Sequence, residues 1–407
     1  MAENSKIQWT THTLNPWRGC QKVAQGCANC YAETMSKRNQ KTLGIWGPNG
    51  TRVVASEAMW REPVKWDQMA RDGVCLRCSG KRTVSILCRE FVNGDMVENK
   101  RDLICLECNG TGQVGQYRPR VFCASLADVF EDWRGEILDS SGRRLYLRAD
   151  EDVRVWSKSG SVWTTDSTIN EYPFSVPALE MGDVRARLVK LWDATPNLNW
   201  LVLTKRPENI RRMWHEKIPI GNLDPIASAP HGSEMRTRRE NVWLGTSIAC
   251  QEDADRNIPE LLKCRGLAAK LFLSLEPLVG PVDLSEWLYT LKMEHDGDGN
   301  IQEVPCRPDI NWVIAGGESG PNARPCNIAW IRDIVNQCKE AGVSCFVKQL
   351  GANPVTTLPS MVVGGATNGQ GPNGRIPEMT GQLKFADPKG GDMNEWPEDL
   401  RVREVPT

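Results

Sequence analysis

Residues 312–319 read WVIAGGES, an apolar run that ends in two glycines, a glutamate and a serine. Five further runs have the same form: VFCAS at 121–125, WLVLTK at 200–205, VWLGTS at 242–247, LFLSLE at 271–276 and CFVKQ at 345–349. Short, almost continuously apolar runs predict parallel strands that are buried on both faces of a sheet. Helical patterns lie between the runs, at 183–192, 253–263 and 328–340. This alternation predicts an α/β fold, and we expect an incomplete (β/α)6-type barrel.

The ends of the predicted strands carry polar and charged residues. In parallel α/β folds the functional groups gather at the carboxyl ends of the strands. In this chain those ends hold Asp128, Lys205, Arg206, Ser247, Glu276, Glu318 and Lys348. We therefore expect a functional site at this edge of the sheet.

Bulk composition excludes several classes of protein. The 407 residues are 40% hydrophobic and 25% charged with a formal net charge of -1, which excludes a disordered chain, a collagen-like fibre and a strongly basic nucleic-acid-binding arm. No segment reaches the 18 or so consecutive apolar residues of a membrane helix, and the first residues lack the apolar run of a secretion signal. We expect a cytoplasmic protein with no membrane partner. Disulfides are rare in that compartment, so clusters among the 15 cysteines indicate metal ligands.

The first cysteine cluster lies in NPWRGCQKVAQGCANCYAE, residues 15–33. Three thiolates, those of Cys20, Cys27 and Cys30, can hold three irons of a [4Fe-4S] cluster and leave the fourth iron without a protein ligand. Zinc is the competing metal, but a structural zinc needs four ligands and the fourth candidate nearby is His12. Three unrelated buried thiols are the remaining alternative.

Seven segments, in order, resemble those of a known family: KIQWTTHTLNPWRGC with CxxCYAE, SLADVF, LTKRPENI, NVWLGTSI, LFLSLEPLVGP, WVIAGGESGPNARP and FVKQLG. They are similar to the phage three-cysteine family of radical S-adenosylmethionine (SAM) proteins. The resemblance covers both ends of the chain and the barrel strands, and leaves out the insertions. Most radical SAM enzymes have three residues between the first two cysteines, whereas this chain has six, a gap that the phage group shares.

The resemblance implies that SAM binds the open iron and is cleaved to a 5'-deoxyadenosyl radical. The candidates for binding SAM are strand-end groups: Ser125, Asp128, Ser247, Glu276, Gly316, Gly317 and Glu318. The two glycines would let the backbone approach a ligand closely. Lys205 and Arg206 are candidates for holding an anionic group of the substrate. For each polar residue, a helix cap or a structural ion pair is the alternative role.

The same resemblance implies a substrate and partners. Some phage members are similar to the 5-Nα-glycinylthymidine isomerases of phage DNA hypermodification, so the expected substrate is DNA or a modified thymidine nucleotide in the cytoplasm of an infected host cell. A cellular one-electron donor such as flavodoxin would reduce the cluster. Two alternatives stay open: another radical SAM reaction on nucleic acid, such as lesion cleavage or methylthiolation, and a non-catalytic, zinc-stabilised DNA-binding protein.

A second cysteine cluster has the spacing C-x2-C-x26-C-x2-C and consists of Cys75, Cys78, Cys105 and Cys108. Two CxxC pairs, each followed by glycine, predict a tetrahedral zinc site of four thiolates. The insertion is too small to bury a good core, so the metal would supply folding energy. The CxxCxG form resembles the zinc knuckles of the DnaJ chaperones over these few residues only. An auxiliary iron-sulfur cluster is the alternative, and Cys88 is an alternative ligand.

These features divide the chain. Residues 1–73 form an N-terminal segment with the iron-sulfur loop, and 74–116 a zinc-knuckle insertion. Residues 117–351 form the barrel, with a β-hairpin insertion at 134–176 and a second insertion at 221–240. Residues 352–407 are an irregular C-terminal extension.

Replacing Cys105 and Cys108 together by serine removes two of the four predicted zinc ligands. We expect the zinc content of the purified protein, measured by inductively coupled plasma mass spectrometry, to fall from about one ion per chain to near none. Cys250→Ser, outside both clusters, serves as the control and should retain the zinc. A loss of iron rather than zinc in the double variant would assign the second cluster to iron and sulfur.

Overall fold

The fold was analysed in a computed structural model of the chain. The residues it describes are 2–3, 5, 7–75, 81, 83–92, 95–104, 118–146, 154–155, 178–214, 238–295, 301–306, 309–357 and 380–406. Three cysteines of the predicted zinc site, Cys78, Cys105 and Cys108, lie outside them, as do most of the insertions at 134–176 and 221–240.

The centre of the fold is one sheet. Its strands are β1 (Ala2–Glu3), β2 (His12–Thr13), β3 (Arg120–Cys123), β4 (Asn199–Thr204), β5 (Arg239–Ser247), β6 (Ala268–Leu275), β7 (Ile310–Gly316) and β8 (Ser344–Gln349). Neighbours in the sheet follow chain order, with β2 to β8 parallel and β1 antiparallel at the edge. The chain is therefore a mixed α/β protein whose seven parallel strands curl into a half-barrel.

All six strands predicted from apolar runs are present, as β3 to β8, with ends shifted by a few residues. The seventh parallel strand, β2, was missed because it is only two residues long and polar, and it pairs with Val121 and Phe122 of β3. The three predicted helices are also present. The helices are α1 (Tyr31–Arg38), α2 (Gln40–Leu43), α3 (Glu57–Arg71), α4 (Met181–Ala194), α5 (Ile210–Met213), α6 (Gln251–Leu262), α7 (Ser285–Leu288) and α8 (Ile328–Ala341).

Aromatic side chains fill the concave face of the sheet. Because successive residues of a strand point to opposite faces, each strand sends alternate side chains inward. The inward cluster consists of Trp9, Phe122, Leu201, Trp243, Phe272, Trp312, Ile314 and Phe346. Trp312 lies at the centre of this cluster and is fully buried. It donates its indole N–H to the carbonyl oxygen of Glu404 at 2.8 Å. The C-terminal segment thus packs against this cluster.

Helices cover the convex face. Apolar residues of α3, α4, α6 and α8 pack on the outward side chains of the strands to form the larger hydrophobic core. The amphipathic helix α8 begins at Ile328, where the Asn327 side chain accepts from the N–H of Ala329, and ends at Gly342 with φ 67°. A left-handed glycine at this position ends a helix without steric strain.

Short strands outside the main sheet form small sheets and hairpins. Trp17–Arg18, Arg52–Val54 and Ile137–Leu138 form one small sheet beside the first cysteine cluster. The remaining pairings are Thr83–Val92 with Asp95–Ile104, Leu145–Tyr146 with Arg154–Val155, Thr290–His295 with Ile301–Cys306, and Pro354–Thr357 with both Cys326–Asn327 and Thr380–Gln382. The first of these hairpins lies between the two predicted zinc-binding pairs. Among the described helices, none is long and apolar enough to cross a membrane.

The aromatic cluster should carry much of the stability of the half-barrel. We expect Trp312→Ala to lower the free energy of unfolding by about 3–5 kcal/mol, because it leaves a cavity in a closely packed interior. Val64→Ala is the control, since Val64 is 50% exposed on α3 and its truncation should cost less than about 0.5 kcal/mol. Urea unfolding followed by circular dichroism measures both. Equal losses would contradict a central role for the cluster.

Candidate functional site

A cleft of about 500 Å³ opens at the carboxyl ends of the parallel strands. All three cysteines of the first cluster line it. The strand-end residues that line it with them are Ser125, Asp128, Lys205, Arg206, Ser247, Glu276, Glu318 and Lys348. The fold thus brings residues from β3 to β8 and from the cysteine segment together on the walls of one cleft.

The cysteine loop, residues 20–30, is shaped by local backbone geometry. Gly19 has φ 106°, and a Cβ there would lie 2.5 Å from the carbonyl oxygen of Thr51, so only glycine fits before Cys20. Cys27 ends a short 3-10 turn that begins at Gln25, and Cys30 directly precedes α1. The loop therefore presents its three thiols to the same cleft. Within the part of the chain that the structure describes, no three His, Cys, Asp or Glu side chains are grouped closely enough to hold a metal ion.

Arg206 binds the start of the cysteine loop to the barrel. Its Nη2 donates to the carbonyl oxygen of Gln21 at 3.0 Å, and its Nη1 lies 3.8 Å from the Sγ of Cys20. The Nη1 also pairs with Oδ2 of Asp128 at 2.7 Å, and both of these charged side chains are buried. The guanidinium is therefore committed to contacts within the protein.

Glu131 completes this buried network. It receives two hydrogen bonds from Arg52, at 2.7 and 2.8 Å, and the Arg52 guanidinium also stacks 3.7 Å from the ring centre of Trp133. The same carboxylate accepts from the N–H of Gln21 at 3.1 Å and lies 3.5 Å from Arg206. Both backbone groups of Gln21 are thus held by buried charges, which fixes the loop next to Cys20.

The environment of Cys20 favours its protonated form. Burial raises the pKa of this thiol to about 12, and the carboxylates of Glu131 and Asp128 add to the rise, while Arg206 opposes it. In the absence of a metal, Cys20 is therefore a neutral thiol near pH 7. Binding of a metal there must displace a proton.

Asp128 is saturated with hydrogen bonds. Besides Arg206, it accepts from the hydroxyl of Thr204 at 2.6 Å and from the N–H groups of Lys205 and Phe130 at 3.0 and 3.1 Å. This carboxylate therefore links the ends of β3 and β4. It has the structural ion-pair role that was the alternative to binding SAM.

A second set of contacts holds the other half of the cysteine loop. Glu318 accepts two side-chain hydrogen bonds from Arg324, at 2.9 and 3.0 Å, and one from the amide of Asn29 at 3.1 Å. Arg324 also donates to the carbonyl oxygen of Gln25 at 3.1 Å. Burial alone would raise the pKa of Glu318, but the hydrogen bonds from Arg324 and Asn29 outweigh it and the pKa is lowered. Glu318 is therefore ionised and connects β7 to the loop.

Gly316 and Gly317 precede Glu318 and pack against the chain itself. A Cβ on Gly317 would lie 2.4 Å from the carbonyl oxygen of Leu350, and one on Gly316 would lie 3.0 Å from that of Gln349. Their lack of side chains is thus needed for the close approach of β7 to the end of β8. This packing accounts for both glycines without a ligand.

The remaining strand-end groups have fewer protein partners. The ammonium group of Lys205 hydrogen-bonds to the hydroxyl of Ser247, and Lys348 pairs with the carboxylate of Glu276. Ser125 exchanges a hydrogen bond with Asn15 and accepts one from Tyr31 through its carbonyl oxygen. Lys205 makes no ion pair with any carboxylate in the described residues, so its charge is available to an anion in the cleft.

His12 is buried in β2 with its ring 4.3 Å from that of Trp66 in α3. Burial lowers its pKa to about 4, and within the described residues neither ring nitrogen has a hydrogen-bond partner. The histidine considered as a fourth zinc ligand therefore packs beneath a helix. Of the second cysteine cluster, Cys75 is described and is buried just after α3.

Several residues of the site were not predicted from the sequence. Arg52 and Glu131 lie in stretches without a spacing pattern. Asn29 contacts Glu318 from a distant part of the chain, and Arg324, six residues after Glu318, reaches the distant Gln25. Of these four residues, only Asn29 could have been suspected from the sequence, because it lies between Cys27 and Cys30. The contacts of Arg52 with Glu131 and of Arg324 with Gln25 depend on folding, because their partners are separated by dozens of residues or more.

The fold and the site together define an α/β half-barrel protein with three cysteines on the wall of a cleft at its strand ends. The chain belongs to the family described as a protein of unknown function, DUF5131, whose sequence model matches residues 4–139 and 176–380. The unmatched residues between these two parts fall within the predicted 134–176 insertion, whereas the insertion at 74–116 lies inside the matched part. No curated protein and no solved structure matches the chain.

The buried network predicts a strong effect of Arg206→Met. Removing Arg206 leaves Asp128 buried without its charge partner, while Glu131 keeps Arg52, and the loss of the Asp128 pair costs about 3–5 kcal/mol of unfolding free energy. Arg265→Met is the matched control, because Arg265 pairs with Asp309 at 3.1 Å and both side chains are exposed, so the loss should stay below about 1 kcal/mol. Urea unfolding of both variants under anaerobic conditions tests this. Similar losses would show that the network does not stabilise the fold.

Proposed function

We propose that this protein is a radical SAM enzyme that binds a [4Fe-4S] cluster through Cys20, Cys27 and Cys30. The observation that carries the proposal is that these three thiols line the same cleft as the strand-end polar residues of the half-barrel. Three thiols on one loop suit a cluster with one open iron, to which a cofactor can bind. The resemblance of the seven sequence segments to radical SAM proteins supports the same assignment.

The residue types of the loop suit such a group, because thiolates are the usual ligands of iron-sulfur clusters. The loop is held at both halves by hydrogen bonds, through Gln21 and through Asn29. These contacts keep the loop at the cleft, and the three thiols must draw closer together to bind a cluster, since the described residues contain no group of three ligands placed to hold a metal. When bound, the cluster and SAM would supply a 5'-deoxyadenosyl radical. The chain's own residues orient the bound molecules and exclude water from the cleft.

We assign the binding of SAM to cleft residues with few protein partners. Ser125, Ser247 and Glu276 line the cleft and offer hydroxyl and carboxylate groups for the ribose and the amino group, Ser247 and Glu276 in exchange for their contacts with Lys205 and Lys348. Asp128 and Glu318 are each held by several hydrogen bonds and are proposed to act through the cysteine loop. Gly316 and Gly317 do not line the cleft, and the carbonyl oxygens of both and the N–H of Gly317 are bonded within the protein, so their proposed part is to position Glu318.

The proposed substrate is a glycinyl-modified thymidine of phage DNA. Its isomerisation breaks the bond from the thymine methyl carbon to the glycinyl nitrogen and forms one to the α-carbon. One hydrogen moves from the α-carbon to the nitrogen, so the mass is unchanged. Lys205, which makes no ion pair in the described residues, is proposed to bind the glycinyl carboxylate, and Arg206 is the less suitable of the two predicted cations because it is engaged.

Anaerobic reconstitution with iron and sulfide tests the enzyme class. We expect about four irons per chain and 5'-deoxyadenosine after addition of dithionite and SAM, both strongly reduced in Cys27→Ala because a cluster ligand is lost. Cys250→Ala, whose cysteine does not line the described cleft, should match the wild type. Iron and sulfide analysis and liquid chromatography measure the outcome.

Zinc in place of iron, with no 5'-deoxyadenosine, would contradict the proposal and favour a zinc-stabilised DNA-binding protein. Nucleoside mass spectrometry of treated DNA then separates reactions: an isomerised nucleoside elutes differently at unchanged mass. Lesion cleavage or methylthiolation changes the mass and would replace the proposed reaction while keeping the enzyme class.

A further inference from the structure

The surface beside the cysteine loop has an unusual composition. We call it the α1 surface, and its members are Val23, Tyr31, Met35, Lys37, Arg38, Lys41 and Ile45. All of them are exposed. The surface combines apolar side chains with positive charge and lies next to the cleft, as expected of a surface that binds a partner protein.

Exposed apolar side chains are concentrated on the α1 surface. Eight large hydrophobic side chains are exposed in the described part of the chain, and four of them, at positions 23, 31, 35 and 45, belong to the α1 surface, where Val23 and Tyr31 also form the rim of the cleft. Tyr31 is 54% exposed and Met35 is 45% exposed, one turn apart on the same side of the helix. Grouped apolar exposure of this kind marks interaction sites, whereas scattered exposure does not.

The same surface is locally basic although the chain as a whole has net charge -1. Residues 20–46 contain four cations and a single acid, Glu33, which pairs with Lys22 at 2.9 Å and Lys37 at 3.5 Å. Arg38 and Lys41 make no ion pair with any described side chain. Charge complementarity therefore favours an acidic partner.

Both ends of the α1 surface adjoin the cysteines. Helix α1 starts directly after Cys30, and its eight residues extend only about 12 Å along the helix axis. The segment that returns from α2 reaches the cleft at Trp46, and the N–H of Gly47 donates to the carbonyl oxygen of Cys20 at 2.9 Å. A partner bound to this surface would lie next to the cysteine loop.

We propose that the α1 surface is the docking site of an acidic one-electron donor protein of the flavodoxin class. The proposal rests on the proposed function, because it needs a redox cluster on the loop. One electron passes from the donor, which is oxidised by one electron, to the cluster, which is reduced by one. The aliphatic residues Val23, Met35 and Ile45 favour a protein over nucleic acid, since bases stack on aromatic or guanidinium planes.

The test is charge reversal at Lys37, Arg38 and Lys41, each replaced by glutamate in one variant. Stopped-flow absorbance follows reduction of the reconstituted cluster by reduced flavodoxin at low ionic strength. We expect reduction to be about tenfold slower or more in the variant, and the wild-type rate to fall with added salt. Reduction by dithionite, which needs no docking, should be equal in both proteins.

The matched control reverses three exposed lysines, one each in α4 and α8 and one directly after α6: Lys190→Glu, Lys339→Glu and Lys263→Glu. It changes the net charge equally, so a rate equal to that of the wild type would assign the effect to the α1 surface. Equal slowing in both variants, or in neither, would overturn the proposal.

Two further outcomes have distinct meanings. If the α1 variant loses affinity for a fluorescent 20-residue oligothymidylate but is reduced by flavodoxin at the wild-type rate, the surface binds nucleic acid and the docking proposal is wrong. If the wild type takes up no iron, the proposed function fails and the docking proposal fails with it. Normal iron content with unchanged flavodoxin kinetics overturns the docking proposal alone.

Discussion

The site depends on a buried set of opposite charges. Arg52, Glu131, Arg206 and Asp128 come from the N-terminal segment, the segment after β3 and the end of β4, and all four are buried. Charges in an interior are costly unless each is paired and hydrogen-bonded, so these four side chains specify one arrangement of three chain segments. Gln21 is the point at which this arrangement reaches the cysteine loop, because both of its backbone groups bind to the network.

The cysteine loop needs such polar contacts because it has little apolar surface to bury. Of residues 20–30, Cys27 alone is buried, and the remainder are exposed or half-buried. Hydrophobic packing therefore cannot fix the loop. Arg206 and Arg324 donate hydrogen bonds to it, and the carboxylates of Glu131 and Glu318 accept hydrogen bonds from it. A loop held in this way keeps its three cysteines on the wall of the cleft while its outer side remains accessible, an arrangement compatible with the proposed redox centre.

The two faces of the curled sheet have different roles. The convex face is covered by amphipathic helices and supplies most of the hydrophobic core. The concave face holds an aromatic cluster, of which Trp9 and Phe122 also line the cleft. The cleft thus has an apolar floor and polar walls, the combination that binds cofactors and organic substrates with defined orientation.

The sequence by itself determined the parallel strands, the main helices and the residues at the strand ends, because apolar runs and helical periodicity are local properties of the chain. It also identified the cysteine loop, whose spacing is local. Only the tertiary structure decided which strand-end groups are engaged: Arg206 and Asp128 bind each other, whereas Lys205 carries a charge without an ion pair in the described residues. It likewise brought in Arg52, Glu131 and Arg324, since their contacts join residues far apart in sequence and form only when the sheet curls.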